Sequence, residues 1–136
     1  NWGILIVSVQ FNGYIATSFI VLFIGCIFWT LGYDTIYAYQ DKEDDIKNNI
    51  KSTAVLFGNK GKKYFLLFFL IFLIILGYMG FKTSGSIASI FVLIIYLIAM
   101  IYFLNKWNLE SKDSSSNYFK LNNFIGLFSF FYLIVF

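Results

Sequence analysis

The 136-residue sequence has no histidine, no proline and no arginine, and it contains a single cysteine, Cys26. Without histidine, neither imidazole metal ligation nor a histidine general base is available. One cysteine excludes both a disulfide framework and a CxxC metal site, so Cys26, among apolar neighbours, is expected to be an inert packing residue. Without proline, the helices are expected to lack proline kinks.

Charge is also scarce. Only 12% of the residues are charged, 60% are hydrophobic, and the mean hydropathy is +0.77. This composition lies outside the range of soluble globular domains. A helix needs about 20 apolar residues to span a bilayer, and several continuous runs approach that length, whereas a membrane β-barrel needs alternating segments of about 10 residues. We therefore predict an all-α, polytopic transmembrane helical bundle.

The apolar runs predict three complete spans, at 14–33, 64–81 and 87–104, and two partial ones, at 2–9 and 121–136. Polar segments separate them at 41–63, 82–86 and 105–120, and the first of these includes a short amphipathic piece at 52–57. The sequence begins without Met and starts and ends inside apolar runs. We therefore expect 1–136 to be one membrane-embedded domain that is incomplete, the C-terminal part of a longer protein.

Lysine placement predicts the orientation of the bundle. Nine of the ten lysines lie in the segments 41–63 and 105–120: Lys42, Lys47, Lys51, Lys60, Lys62, Lys63, Lys106, Lys112 and Lys120. Because positive residues favour the cytoplasmic side, both segments are predicted to be cytoplasmic. Lysines beside anionic lipid account for the net charge of +3, so no nucleic-acid partner is needed, and no protein partner is implied.

A cluster of carboxylates follows the first complete span. Asp34, Asp41 and Asp45 are seven and four residues apart, so on one helix they would point within about 20° of each other, with Tyr37 nearby. Carboxylates at the end of a membrane segment are costly unless a cation neutralises them. Mg²⁺ shared with a phosphate would do so. The alternative is a solvated loop at a helix end.

The carboxylates belong to a longer pattern, which comprises Tyr33-Asp34, Tyr37-Ala38, Asp41, Asp44-Asp45, Lys51-Ser52-Thr53-Ala54 and Phe57-Gly58. This pattern resembles the second aspartate-rich motif of the UbiA superfamily of intramembrane aromatic prenyltransferases. Within that superfamily the chain is most similar to the 4-hydroxybenzoate polyprenyltransferases of ubiquinone biosynthesis, and its later Asn-Asn-Phe-Ile-Gly at 122–126 is similar to the start of that family's last helix. The resemblance implies a nine-helix membrane bundle, of which this chain supplies the end of the fifth helix through the ninth.

The resemblance also implies a reaction: transfer of a polyprenyl group from its diphosphate to the ring carbon beside the hydroxyl of 4-hydroxybenzoate. Asp41 and Asp45 match the catalytic DxxxD pair that holds Mg²⁺ on the diphosphate, where the metal neutralises the leaving group. Lys51 is a candidate diphosphate contact or an ordinary cytoplasmic lysine. The partners implied are polyprenyl diphosphate, 4-hydroxybenzoate and the lipid bilayer.

Three further residues are candidates with open roles. Asp34 is expected to act in catalysis by orienting the aromatic substrate, tuning the metal pair or taking up a proton. Tyr37 is expected to donate a hydrogen bond to substrate or to pack. Asn123 is a candidate substrate-binding residue within the stretch that resembles the family's last helix.

One departure from the family is large, because its first aspartate-rich motif, NDxxDxxxD, is absent. Outside 34–45 the only acidic residues are Glu110 and Asp113, in a serine-rich segment. The missing motif is expected before Asn1, so this chain alone should be inactive. Two alternatives remain open: a prenyltransferase for another acceptor such as homogentisate or a naphthoate, and a proton-coupled transporter that uses Asp34. The composition, rich in Lys, Asn, Ile and Phe, is compatible with an AT-rich genome, and we expect a bacterial inner membrane.

Overall fold

The computed structural model describes all 136 residues, Asn1–Phe136, and every regular element is helical. In chain order the elements are α1 (Gly3–Asn12), α2 (Thr17–Ala38), α3 (Lys42–Lys47), α4 (Thr53–Phe57), a 3₁₀ turn (Gly58–Lys60), α5 (Gly61–Ser84), α6 (Ile87–Lys106) and α7 (Lys112–Val135). Helices α2, α5, α6 and α7 are long and apolar enough to cross a membrane, which confirms the predicted fold class. The 22 residues of α2, for example, rise about 33 Å, slightly more than a bilayer core.

Helix α5 is central and packs against α2, α6 and α7. Its buried face follows a spacing of three and four residues through Phe65, Phe69, Phe72 and Leu76. The edge of the Tyr96 ring of α6 meets the Phe69 ring, with ring centres 5.6 Å apart. These aromatic side chains therefore form the core that joins the long helices.

Helices α2 and α5 approach each other closely at Gly25. A Cβ atom at this position would lie 2.8 Å from Cγ2 of Ile75, closer than side-chain carbons normally come. At Gly32, two helical turns further along α2, a Cβ atom would lie 3.5 Å from the Phe65 ring, an ordinary contact distance. Small residues at such crossings allow backbones to pack tightly in membranes.

The two lysine-rich polar segments meet at one end of the bundle, as the alternation of spans predicted. The Lys62 ammonium donates a hydrogen bond of 3.3 Å to the carbonyl of Asn105, which links the start of α5 to the end of α6. The α5–α6 turn, at Gly85 and Ser86, lies at the opposite end of these helices.

The predicted start of the last span is wrong. The sequence predicts a loop up to Lys120, but α7 already begins at Lys112. The Ser111 hydroxyl accepts a hydrogen bond from the backbone N–H three residues later, which caps the helix. The Trp107 indole also donates a 3.0 Å hydrogen bond to the buried Ser115 hydroxyl, so a polar first turn is fixed by tertiary contacts.

One flank of α2 is not covered by the rest of the chain. Four apolar residues at spacings of four and three are about 40% exposed along it: Ile20, Ile24, Ile27 and Leu31. Asp34 continues the same spacing and is exposed too. This flank therefore leads from an apolar membrane-depth surface to the first carboxylate of the candidate site.

Candidate functional site

The candidate site lies where the α2–α5 and α6–α7 connections pack together. Tyr39 and Trp107, one from each connection, are almost completely buried, and their rings meet edge to face with centres 5.3 Å apart. Beside them the Lys112 ammonium lies 3.3 Å from Oδ1 of Asp41. These contacts join the α2–α5 connection to the start of α7 at residues 41–45, where the carboxylates lie.

Tyr39 also explains why α2 ends where it does. The helix stops at Ala38, and the Tyr39 hydroxyl donates a 2.5 Å hydrogen bond to the Gly58 carbonyl. A Cβ atom at Gly61 would overlap the Tyr39 ring, so glycine makes room for it. Burial raises the pKa of the Tyr39 phenol above its usual value. The chain is therefore anchored at the point where it leaves the long helix.

The continuous α-helix on which a single acidic stripe depends does not form. Asp34 lies in the last turns of α2, whereas Asp41 stands just before α3 with backbone angles of −111° and 10°, outside an α-helix. From Tyr39 to Asp41 the backbone N–H groups bond the carbonyls three residues earlier, so the α-helix is not continuous between Asp34 and Asp41. Only the four-residue step from Asp41 to Asp45 keeps an α-helical hydrogen bond.

Asp41 and Asp45 are one helical turn apart, and residues 41–45 are called the acidic turn below. The Asp45 N–H donates a 2.8 Å hydrogen bond to the Asp41 carbonyl, and both side chains are partly exposed. Side chains four residues apart in a helical turn share a face, so the two carboxylates are placed where one ligand could contact both. Glu43 and Asp44 occupy the same first turn and are exposed.

The donor chemistry of this pair fits Mg²⁺. Magnesium prefers hard oxygen ligands and is commonly bound by one or two carboxylates together with substrate phosphates. Asp41 and Asp45 supply two such carboxylates. No group of three or more acidic, histidine or cysteine side chains that could hold a metal is assembled in the chain. The residues present therefore fit a shared magnesium–phosphate site rather than a closed protein cage.

Asp34 and Tyr37 lie beside each other at the end of the exposed flank of α2. Asp34 takes part in neither of the two ion pairs of the chain. Tyr37 is half exposed, and its ring packs against Phe119 of α7 with ring centres 5.1 Å apart. Tyr37 and Asp34, three residues apart on α2, therefore share one face of the helix, and the Tyr37 ring packs on α7.

The other two candidate residues are exposed and lie outside the acidic turn. Lys51 stands in the link between α3 and α4, and it forms no ion pair with an acidic residue. Asn123 lies on an exposed part of α7. Its neighbour Asn122 is the residue that faces inward, because its Oδ1 accepts a 2.6 Å hydrogen bond from the Trp29 indole.

The sequence predictions missed two polar residues at this end. The sequence assigns Lys112 no role beyond that of a cytoplasmic lysine, yet it pairs with Asp41. Gln40 has a buried amide nitrogen with no hydrogen-bond partner. Both line a polar cavity of about 420 Å³, whose other charged lining residues are Lys42, Glu43, Asp44 and Glu110. The only sequence signal was the adjacency of Gln40 to Asp41.

Comparisons with known proteins agree with this architecture. Residues 1–127 match the model of the UbiA prenyltransferase family. A mitochondrial 4-hydroxybenzoate polyprenyltransferase of Arabidopsis thaliana is 51% identical over 63 residues, covering 46% of this chain and 16% of the relative. A 4-hydroxybenzoate octaprenyltransferase of Pseudomonas fluorescens is 42% identical over 66 residues, which cover 48% of this chain and 22% of the relative. The 4-hydroxybenzoate geranyltransferase 1 of Lithospermum erythrorhizon is 49% identical over 65 residues, which cover 47% of this chain and 21% of the relative.

Each of these matches spans only about a fifth of the relative's length. No solved structure matches the chain. The family match is much broader, because residues 1–127 include the acidic turn, both polar segments and most of the four long helices. The chain therefore belongs to the UbiA prenyltransferase family.

Proposed function

We propose that this protein transfers a polyprenyl group from polyprenyl diphosphate to the ring of 4-hydroxybenzoate in ubiquinone biosynthesis. The observation that carries the proposal is the pairing of Asp41 and Asp45 on one turn at the end of a membrane-length helix. The names of the relatives support the acceptor. They differ in the prenyl group, from geranyl to octaprenyl, and so leave its length open.

In this proposal Asp41 and Asp45 hold Mg²⁺, which when bound would neutralise charge on the departing diphosphate. The carbon–oxygen bond to diphosphate breaks, a carbon–carbon bond forms at the ring, and the displaced ring proton leaves to a base. Asp34 and Tyr37 present a carboxylate and a hydroxyl for the aromatic substrate on the α2 flank. Lys51 contributes a cation for the diphosphate.

Asn123 is proposed to bind substrate from α7, where its side chain is exposed. We also propose that 1–136 is one part of a single membrane-embedded prenyltransferase domain, because Asp41 and Asp45 give only part of a ligand set. Nine of the ten lysines lie in the two polar segments, which supports placing this end at the cytoplasmic face of a bacterial inner membrane.

The test is prenyl transfer by the full-length protein in membranes, supplied with 4-hydroxybenzoate, a polyprenyl diphosphate and Mg²⁺. Asp41→Asn and Asp45→Asn are each expected to lower turnover by about 100-fold or more, because metal stabilisation of the leaving group contributes several kcal/mol. Asp44→Asn, in the same turn, is the matched control and should keep near-native turnover. Membrane insertion of each variant is checked in parallel.

Product formation that survives both substitutions would remove the metal site from the proposal. Turnover with homogentisate or a naphthoate, but not with 4-hydroxybenzoate, would change the acceptor within the same reaction class. Absence of turnover with every acceptor, together with pH-dependent flux that requires Asp34, would instead favour a proton-coupled transporter.

A further inference from the structure

We propose that Lys112 is a mobile counter-cation of the acidic turn. In the absence of metal it neutralises Asp41, and when metal occupies Asp41 it moves to an oxygen of the diphosphate. This inference rests on the proposed function, because it requires metal and diphosphate at Asp41. It assigns a positioning role to a residue of α7, far in sequence from the aspartate-rich motif.

The first observation is the contact itself. Lys112 Nζ lies 3.3 Å from Asp41 Oδ1, although 71 residues separate them in the chain. The chain has one other ion pair, between Lys47 and Asp44 at 3.5 Å, and that pair is local to α3. Lys112–Asp41 is therefore the ion pair that joins the two polar segments.

The second observation is that the pair is exposed enough to be exchanged. The side chains of Lys112 and Asp41 are 66% and 46% exposed. Solvent screens such a pair, and its net contribution to stability is small. A divalent cation attracts the Asp41 carboxylate more strongly than one ammonium does, so metal binding displaces Lys112 at little cost.

The third observation is that the base of the lysine is fixed while its ammonium is not. Lys112 is the first residue of α7, which the Ser111 hydroxyl caps and the Trp107–Ser115 hydrogen bond holds down. Its four-carbon stem has free rotation, and its ammonium is a compact donor with three hydrogens. The ammonium can therefore change partners without any movement of the helix.

The charge around Lys112 explains why it would stay near the site. Lys112 contacts Asp41 and also lines a cavity that presents three carboxylates and one other lysine: Glu43, Asp44, Glu110 and Lys42. Gln40 lines the same cavity, and its buried amide nitrogen has no hydrogen-bond acceptor. A diphosphate held on Asp41 supplies several acceptor oxygens and more negative charge than any single carboxylate there, so it is the stronger partner for the displaced ammonium.

The test measures binding of Mn²⁺ and of inorganic pyrophosphate to the full-length protein in lipid nanodiscs, with no prenyl acceptor present. Electron paramagnetic resonance of free Mn²⁺ gives the metal affinity. Lys112→Ala should tighten Mn²⁺ binding in the absence of pyrophosphate by up to about 5-fold, because one competing exposed ion pair is removed. The same variant should weaken Mn²⁺-dependent pyrophosphate binding by about 10-fold or more, because a charge-assisted hydrogen bond is lost.

Lys112→Arg should restore pyrophosphate binding to within a few-fold of native. Lys47→Ala, which removes the other ion pair, is the matched control and should change neither affinity. The opposite signs of the two expected changes separate an exchangeable cation from a structural residue, whose loss would weaken both affinities together. Unchanged affinities, weakening of both, or tighter Mn²⁺ binding with native pyrophosphate binding would each overturn the inference. The last result would mean that displaced Lys112 settles on Glu110 or its neighbours.

The two proposals can fail separately. If the native protein binds Mn²⁺ and transfers prenyl groups but Lys112→Ala binds both probes as the native protein does, only the role of Lys112 falls. If Lys112→Ala changes both affinities as expected but the native protein does not prenylate 4-hydroxybenzoate, the proposed acceptor is wrong and Lys112 keeps its role. If the native protein binds no Mn²⁺ with or without pyrophosphate, the metal site and the role of Lys112 both fall, and the turnover assay alone decides the reaction.

Discussion

The indole nitrogen of Trp29 donates a 2.6 Å hydrogen bond to Oδ1 of Asn122 and so joins α2 to α7. The same indole stacks on Phe72 of α5, with ring centres 5.7 Å apart, and a Cβ atom at Gly126 would lie 3.1 Å from it. Trp29 therefore ties three long helices together five residues before Asp34. Trp29 therefore helps to fix the position of the exposed α2 flank.

Asn122 and Asn123 provide a matched pair of substitutions. Asn122→Ala should lower the free energy of unfolding by about 0.6–1.7 kcal/mol, the range measured for hydrogen bonds between membrane helices. Asn123→Ala, on the exposed face, should leave the unfolding midpoint unchanged and reduce prenyl transfer if the proposed substrate contact exists. Thermal unfolding in detergent and turnover assays measure the two effects. Equal midpoints for the two variants would show that the Trp29 hydrogen bond contributes nothing to stability.

Gly25→Ala is expected to destabilise the α2–α5 crossing by about 1–3 kcal/mol, the usual cost of overpacking. The reason is the 2.8 Å approach of its Cβ atom to Ile75. Gly32→Ala, whose Cβ atom finds ordinary contacts, should be neutral or stabilising, because alanine loses less backbone entropy in a helix.

A double-mutant cycle with Ile75→Ala checks the cause. If the clash is real, the Gly25→Ala and Ile75→Ala effects will be less than additive, since the smaller side chain makes room for the new methyl group. Additive effects in equilibrium unfolding would place the cost elsewhere.

Tyr39 predicts an alkaline limit to stability. Burial raises its pKa in the folded state above the ordinary value of 10.0. Above about pH 10 the unfolded state therefore loses a proton that the folded state keeps, so the free energy of unfolding falls as pH rises through this range. We expect the native protein to lose stability more steeply from about pH 9 to 11 than Tyr39→Phe, measured by Trp fluorescence in detergent.

The same variant has a second expected effect at neutral pH. Tyr39→Phe should be less stable by about 1 kcal/mol, because the Gly58 carbonyl loses its donor. Lysines also titrate in the alkaline range, but they are common to both proteins and cancel in the comparison. Parallel alkaline profiles for the two proteins would contradict the shifted pKa of Tyr39.

The cap of α7 predicts a local effect beside Lys112. Ser111→Ala should remove about 0.5–2 kcal/mol of helix stabilisation and speed hydrogen exchange of the first-turn amides of α7. Ser116→Ala, whose hydroxyl makes no hydrogen bond within the chain, is the control and should leave exchange unchanged. Identical exchange in the two variants would mean that the Trp107–Ser115 contact alone fixes this turn.

Hydropathy predicted the long helices because a bilayer requires a continuous apolar helix with its backbone internally bonded. The span predicted at 87–104 became α6, Ile87–Lys106, and the two lysine-rich segments share one end as expected. Boundaries set by distant partners were less predictable. Helix α2 ends at a tyrosine whose hydroxyl bonds a carbonyl 19 residues later, and no local pattern encodes that contact.

The candidate site was predictable in its residue types and not in its geometry. The Asp41–Asp45 relationship is local, so a four-residue spacing sufficed to predict it. The alignment of Asp34 with that pair depended on an unbroken helix, which the Tyr39 anchor interrupts. Lys112 carries no signature in the sequence, because a polar residue next to three serines resembles any solvated loop until α7 folds against the acidic turn.

The turn at Gly85 has a practical consequence that follows from where the polar segments meet. The 24 residues of α5 place this turn about 36 Å from the acidic end, across the full depth of a bilayer. Gly85 itself has open space around its α-carbon. A short epitope or a fluorophore inserted there would report on the far leaflet, and on the tilt of the α5–α6 hairpin, while leaving the acidic end untouched.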